Sequence, residues 1–282
     1  MMKQKMLTIA LPNKGRVREP SFRLMEDVGI KADQAEERRL ILPTSRSGVR
    51  ILLVRAMDIP LMVERGAADI GIAGQDTISE RGSKVEELVP LDFGSCRVAL
   101  AAPRAVITPK CIATALPRIT ARYCRKAGIK ADIVQLQGAL ESAPLLGIAD
   151  SIVDQVATGT TLRENKLRIL DVIMETRIFL IGNIASVKEN AAMIDPIVLC
   201  VKGVLDAKRR MYVRLNAATE KIRDRLASIL PAMKSPDVSM LADGGFVLAA
   251  AVPKKGIEDL VVRLKAAGGS DIIVEQLKMI IP

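Results

Sequence analysis

The chain contains no histidine and no tryptophan, and four Phe and two Tyr are its only aromatic side chains in 282 residues. Without histidine, imidazole triads, histidine metal sites and the commonest general base are excluded, so any catalysis must rest on carboxylates, cations and backbone. The scarcity of aromatics removes a stacking platform for single-stranded nucleic acid. The net charge of +10 is dispersed, with Lys208-Arg209-Arg210 as its one continuous basic run. Such a charge favours anionic partners, and a nucleic acid is not the expected one. Cysteine is sparse: Cys96, Cys111, Cys124 and Cys200 stand far apart with no C-x-x-C, which suggests neither a zinc knuckle nor a disulfide framework. No apolar run approaches the ~20 residues of a membrane span. The basic start MMKQKMLTIALPNKGR leads into what reads as a first core strand rather than a cleavable leader, so a cytoplasmic protein with no membrane partner is expected.

What is present is an α/β rhythm, in a chain long enough for two or three domains of roughly 100 residues each. Met6 to Leu11 reads as a buried strand, broken by Pro12-Asn13-Lys14-Gly15-Arg16 before a helix from about Arg18 to Val28. Strand (Val49 to Val54), helix (Ile59 to Arg65) and strand (Ile70 to Ala73) follow, then Leu91-Asp92-Phe93-Gly94-Ser95-Cys96-Arg97 and the strand Val98 to Ala102. From Cys111 the rhythm restarts, with strands at Cys111 to Thr114 and Ile133 to Leu136, a helix near Ile119 to Ala127, and a helix around Glu141. Strands near 167–175 and 178–184 and a long helix over about 190–209 return the chain toward the first unit. The last seventy or so residues read as βαββαβ, a ferredoxin-like unit with no evident catalytic constellation. The domain expectation is therefore 1–103 joined by about 178–208, then 104–177, then 209–282.

The most informative stretch is Ser142 to Asn165, SAPLLGIADSIVDQVATGTTLREN. Asp150 and Asp154 bracket an apolar strand that runs into the turn Ala157-Thr158-Gly159-Thr160-Thr161. A Gly-containing turn lets several backbone N–H groups point at one anion, and a helix starting there adds its positive end. Carboxylates beside a phosphate cradle suit a sugar diol or a metal ion. The plain alternative is that Thr160 caps a helix and the aspartates are solvated strand ends. Lys14 and Arg16, at the end of the first strand, are candidates for anion contacts or are simply solvated, and Arg97 binds phosphate or pairs with Asp92.

Taken in order, LPNKGR (11–16), DIPLMVERGAADIGIAGQD (58–76), LDFGSCR (91–97), GALESAPLLGIADSIVDQVATGTTLREN (138–165) and the tail motifs LPAMKSPDVSML and LKAAGGSDIIVEQLKMI resemble the ATP phosphoribosyltransferases of histidine biosynthesis, in their long form. The resemblance spans nearly the whole chain. It implies two periplasmic-binding-protein-like α/β domains plus a C-terminal ferredoxin-like βαββαβ domain that binds histidine as feedback inhibitor, and transfer of phosphoribosyl from phosphoribosyl pyrophosphate to N1 of ATP with Mg2+. It further implies catalytic roles for Lys14, Arg16 and Glu141, and phosphoribosyl pyrophosphate contacts by Asp150, Asp154, Ala157, Thr158, Gly159, Thr160 and Thr161. ATP would meet Leu11, Arg16, Arg55, Gly74, Asp76, Asp92 and Arg97, and histidine would meet Asn216, Met233, Asp237 and Asp271. A homo-oligomer, dimers building a hexamer through the C-terminal domains, is also implied.

The chain departs from the family pattern in three places. Ala115-Leu116-Pro117 replaces a hydroxyl-bearing Ser-Tyr-Pro-like run, Gln155 stands where an apolar residue is usual, and Asp237 alters the expected histidine pocket. From the local chemistry alone, a bilobed sensor that holds a phosphorylated metabolite without turning it over is the competing reading.

Overall fold

The computed structural model describes residues 6–33 and 39–281 and divides into two compact units, Met1–Ile194 and Asp195–Pro282. The first unit holds two α/β lobes. Its opening strand β1 (Leu7–Pro12) is buried along its whole length, as a continuous apolar run should be when both faces of a parallel sheet are covered. There follow α1 (Arg18–Asp27), β2 (Ile41–Pro43), β3 (Val49–Val54), α2 (Ile59–Glu64), β4 (Ile70–Gly74), α3 (Gln75–Arg81) and β5 (Glu86–Pro90). The chain then crosses to the second lobe: β6 (Cys96–Pro103), β7 (Cys111–Thr114), α4 (Pro117–Ala127), β8 (Asp132–Gln135), β9 (Ser151–Val156), α5 (Thr160–Glu164) and β10 (Leu167–Thr176). It returns through Arg177 into β11 (Ile178–Gly182) and α6 (Ile184–Glu189).

The first sheet has the order β2-β3-β1-β4-β11-β5 and the second β10-β6-β9-β7-β8. Within them β3, β1 and β4 run parallel, as do β8, β7 and β9. Two lobes linked by two chain crossings form the bilobed architecture expected above. Buried Asp69 fixes the near end of β4: its Oδ2 accepts the Thr8 N–H at 2.8 Å and its Oδ1 the Asn190 side-chain amide at 3.1 Å. Asn183 caps α6, accepting the N–H groups of Ala185 and Ser186 while its own amide donates to the carbonyls of Val63 and Glu64. In the second lobe, one face of the sheet packs Ala99, Ala101, Ile152 and Leu162 together and the other packs Val98, Leu100, Ile119 and Val153. Each fully buried Val, Leu or Ile among them contributes about 1.5–3 kcal/mol.

The second unit begins inside α7 (Ala191–Lys208), at 194/195 rather than at the expected 208/209. The physical reason lies at the helix's end, where the Gly203 carbonyl accepts the Ile280 N–H at 3.0 Å and so ties α7 to the chain's last described residues. Beyond α7 come β12 (Arg210–Ala217), α8 (Glu220–Ile229), β13 (Asp237–Met240), β14 (Phe246–Pro253), α9 (Ile257–Ala266) and β15 (Ser270–Gln276), in an antiparallel sheet of order β13-β14-β12-β15. That is the ferredoxin-like order. Val213, Leu215, Leu226, Leu248, Leu260 and Leu264 form its core. No helix among the described residues is long and apolar enough to cross a membrane.

The lobes of the first unit are also tied directly. Helix α4 starts after Leu116, which offers no side-chain cap, and its open N–H groups at Arg118 and Ile119 donate instead to Glu80 on α3 of the other lobe, at 2.9 and 2.8 Å. A carboxylate at a helix N-terminus is favoured both as acceptor and by the dipole. Arg118 reaches back to the Arg81 carbonyl, and Arg122 donates to the Ser79 hydroxyl. Replacing Glu80 with Ala is expected to cost about 1–2 kcal/mol, read as a lower chemical-denaturation midpoint; Glu80→Gln, which keeps one acceptor, should lose less.

Candidate active site

In both lobes the parallel strands end toward one cleft, the position where α/β sheets bind ligands. From the first lobe come Lys14 and Gly15 after β1, Arg55 after β3 and the start of α3 after β4. From the second come Ala115 after β7, Gln135 and Gln137 at the end of β8, and the turn after β9. Lys14, Gly15, Arg55, Ala115, Gln135 and Gln137 line one hollow of about 890 Å³.

The turn after β9 is the stretch in which the sequence places a phosphate cradle. Gly159 takes φ +73°, which L side chains rarely adopt, and it turns the chain into α5. The Thr158 and Thr160 hydroxyls lie 3.1 Å apart. Arg163, which the sequence reading passed over, holds this turn in shape by donating to the Thr158 carbonyl at 3.1 Å and the Thr160 hydroxyl at 3.0 Å. Its position three residues after Thr160 was the available signal, because i,i+3 places both on one helix face.

Asp154, Glu141 and the whole Ala157–Thr161 turn surround a smaller hollow of about 150 Å³. Burial pushes the Asp154 carboxyl up to about 6; the Gln155 N–H, donating at 2.7 Å, opposes that rise and the Glu141 charge adds to it. Glu141 sits on a single 3-10 turn (Leu140–Ser142) instead of the helix expected there, entered through Ala139 at φ +50°.

Asp150 needs correction. Its Oδ2 accepts the N–H groups of Lys110 and Cys111 at 2.8 and 3.2 Å and its Oδ1 the Ser151 hydroxyl at 2.9 Å, so both oxygens serve the start of the sheet. Four residue steps along extended chain part it from Asp154, about 13 Å at ~3.3 Å per residue. Asp150 thus anchors the far end of β9, and Asp154 faces the cradle.

On the first-lobe side, Lys14, Arg16, Gly74 and Asp76 line a hollow of about 140 Å³. Arg16 donates to the Cys96 sulfur at 2.8 Å and the Ser95 carbonyl at 3.3 Å, reaching the segment that links the lobes. Burial raises the Cys96 thiol, with Arg16 pulling it down and Asp76 and Asp154 pushing it up. One cation and two carboxylates from both lobes therefore converge on this sulfur. A Cβ at Gly74 would meet the Asp76 carboxylate folded against it, so a larger residue there requires that carboxylate to move.

The remaining candidates fall elsewhere. Leu11 is fully buried and can serve only as packing beneath the site. Asp92 is exposed on the β5–β6 connection, outside the lining of these hollows. Arg97 lines a groove of about 900 Å³ on the other side of the cradle, with Arg104, Arg163, Lys166 and Arg168 and no carboxylate. In the second unit Asn216 donates to Asp271 at 2.9 Å, at the β12–β15 side of the sheet. Asp237 starts β13 on the opposite edge, three strand spacings away or about 14 Å, and exposed Met233 precedes it in the chain.

Comparison with known proteins bears on the whole chain. Residues 55–203 match the family model described as ATP phosphoribosyltransferase, and residues 207–279 match that of the HisG C-terminal domain. An ATP phosphoribosyltransferase of Methanothermobacter thermautotrophicus is 41% identical over 98% of this chain and 99% of its own length. One from Sulfurisphaera tokodaii is 37% identical over 98% of this chain and all of its own. Among solved structures, the ATP phosphoribosyl transferase (HisG:HisZ) complex from Thermotoga maritima aligns with TM-score 0.61 and 31% identity, covering 68% of this chain and 96% of that one. With both units matched and relatives similar from end to end, the chain belongs to the ATP phosphoribosyltransferase family, pentosyltransferases of histidine biosynthesis.

Proposed function

We propose that the chain transfers the phosphoribosyl group of phosphoribosyl pyrophosphate to N1 of the adenine of ATP, and that histidine inhibits it. The observation that carries the reading is the meeting, in one cleft, of the cradle with Asp154 and Glu141 on one side and Lys14, Arg16 and Asp76 on the other. In this reading the Ala157–Thr161 turn takes the 5′-phosphate through backbone N–H groups and threonine hydroxyls, while Asp154 accepts hydrogen bonds from the ribose hydroxyls. The C1–oxygen bond to pyrophosphate breaks as the N1–C1 bond forms. Cationic character builds on the sugar, and Asp154 and Glu141 supply the negative field that stabilises it. Lys14 and Arg16, with Arg55 further along the cleft, neutralise the departing pyrophosphate or the triphosphate of ATP. A ring nitrogen with a free lone pair needs alignment more than deprotonation, which fits a chain without histidine.

A magnesium ion is implied by the family. Among the described residues no group of three or more Cys, Asp or Glu could hold a metal by itself. Glu141 and Asp154 fit an ion that takes its other ligands from phosphate oxygens and water. When bound, such an ion supplies charge neutralisation to the leaving group. Both substrates are phosphorylated metabolites, so we place the protein in the cytoplasm. The split between Asn216–Asp271 and Met233–Asp237 supports a histidine site completed by a second copy of the chain, in keeping with a dimer-to-hexamer assembly through the C-terminal units.

Incubation with ATP, phosphoribosyl pyrophosphate and Mg2+ should yield phosphoribosyl-ATP, whereas tight donor binding without turnover would replace this reading with a sensor. Asp154→Asn is expected to raise the KM for phosphoribosyl pyrophosphate about tenfold or more, roughly 1.4 kcal/mol, with ATP affected less; equal losses would displace Asp154 from the sugar. Because an acid raised to about 6 must be ionised to accept from a diol, kcat/KM for the donor should fall as pH drops from 7 to 5, and Asp154→Asn should flatten that limb. Stability runs the other way. The folded state favours the protonated acid, so Asp154 destabilises progressively as pH rises from about 4 through about 6, by on the order of 3 kcal/mol at neutrality. Asp154→Asn should therefore melt higher than the parent at pH 7. Histidine titration should give saturable inhibition, and Asp237→Ala should shift its midpoint.

A further inference from the structure

Gln155 is the residue shared by the two hollows, lining both the sugar-side space and the first-lobe space. Its backbone N–H donates to Asp154 Oδ1 at 2.7 Å, and its side-chain Nε2 donates to Asp76 Oδ2 in the other lobe. Asp76 is buried and otherwise bonded to the end of β10: Thr176 donates to its Oδ1 at 3.2 Å and accepts its N–H at 3.1 Å. The neighbouring Gln75 N–H donates to the Arg177 carbonyl at 2.9 Å, in the crossing itself. The start of α3 is thus bonded to the second lobe at its crossing strand and, through Gln155, at the strand that carries Asp154. An apolar side chain at 155 could not make the second of these bonds, and Asp76 would keep a buried oxygen without this donor.

We propose that Gln155 is a positioning residue for the transfer step, setting the register of the closed lobes so that the sugar held at Asp154 meets the acceptor held in the first lobe. The inference rests on the function proposed above. Each substrate binds chiefly to its own lobe, so loss of the tie leaves the separate affinities largely intact and removes alignment, which appears in kcat. The groups facing this point are Asp76, Arg16 and Lys14 from the first lobe, and Asp154, Glu141 and the Cys96 thiol from the second.

The test compares steady-state kinetics of the full chain with those of Gln155→Leu, Gln155→Glu and the double variant Gln155→Glu/Asp76→Asn. Gln155 is exposed, so the single variants should fold, and thermal unfolding checks that they do. Gln155→Leu is expected to lower kcat about tenfold with each KM changed less than threefold. Gln155→Glu, which sets two carboxylates against each other, should lose more. The double variant restores a donor facing an acceptor, with the amide now on residue 76; because Asp76 also lines the first-lobe hollow, Asp76→Asn is measured alone, and kcat of the double variant should exceed the value given by the product of the two single-variant losses at least tenfold. A wild-type kcat in both Gln155 variants, or losses that simply multiply in the double variant, overturns the proposal. An inactive parent chain would instead sink the function reading, so the two failures are distinguishable.

Discussion

Parallel strands that end on the same side of a sheet are the constraint on which the rest of this molecule depends. In each lobe they bring three loops to one rim, and the two chain crossings turn the rims toward each other. Every charged group assigned to the site lies just beyond, or on the last turns of, one of these strands: Lys14 and Arg16 after β1, Arg55 after β3, Asp76 after β4, Asp154 and the threonine turn at the end of β9. Glu141 is the exception, delivered by a 3-10 turn packed beside β9 through buried Leu140. The backbone thus does the assembling, and the side chains need only be of the right charge.

Much of this was legible beforehand, and the exceptions share physical causes. Strands Val49–Val54 and Cys111–Thr114 could be read residue for residue because interior strands are dominated by apolar residues, Arg50 being the one charge among them. The short strands Ile41–Pro43 and Glu86–Pro90 went unread because both are edges of the first sheet, where charge and proline break the apolar pattern. Helix α3, QDTISER, was missed since it is polar on most sides and takes its identity from Asp76 and Glu80, whose partners are a hundred and about forty residues away. Asp150 and Asp154, both assigned to the sugar-phosphate donor, stand apart for a related reason. Residues four apart lie on the same face of a strand, but a strand carries them far from each other, whereas a helix would have brought them together.

The C-terminal unit illustrates a limit of another kind. Its fold follows from a local βαββαβ pattern and closes around its own leucine-rich core. The residues expected to meet histidine are spread across its sheet, Asp237 on the edge strand β13 and Asp271 on the edge strand β15 with Asn216 beside it on β12. Edge strands carry unpaired backbone groups, which invite a neighbouring chain.

The groove bordered by Arg97, Arg104, Arg163, Lys166 and Arg168 has a kinetic meaning apart from contact. Five cations without a carboxylate among them project a positive potential beyond the protein surface, and at 0.1 M salt that potential persists for about 10 Å. A multiply charged anion diffusing past is drawn toward the same loop that would grip it. Encounter thereby draws on cations beyond the cradle itself, with Arg163 belonging to both, and ionic strength acts on that long-range attraction more than on the hydrogen bonds that shape the turn.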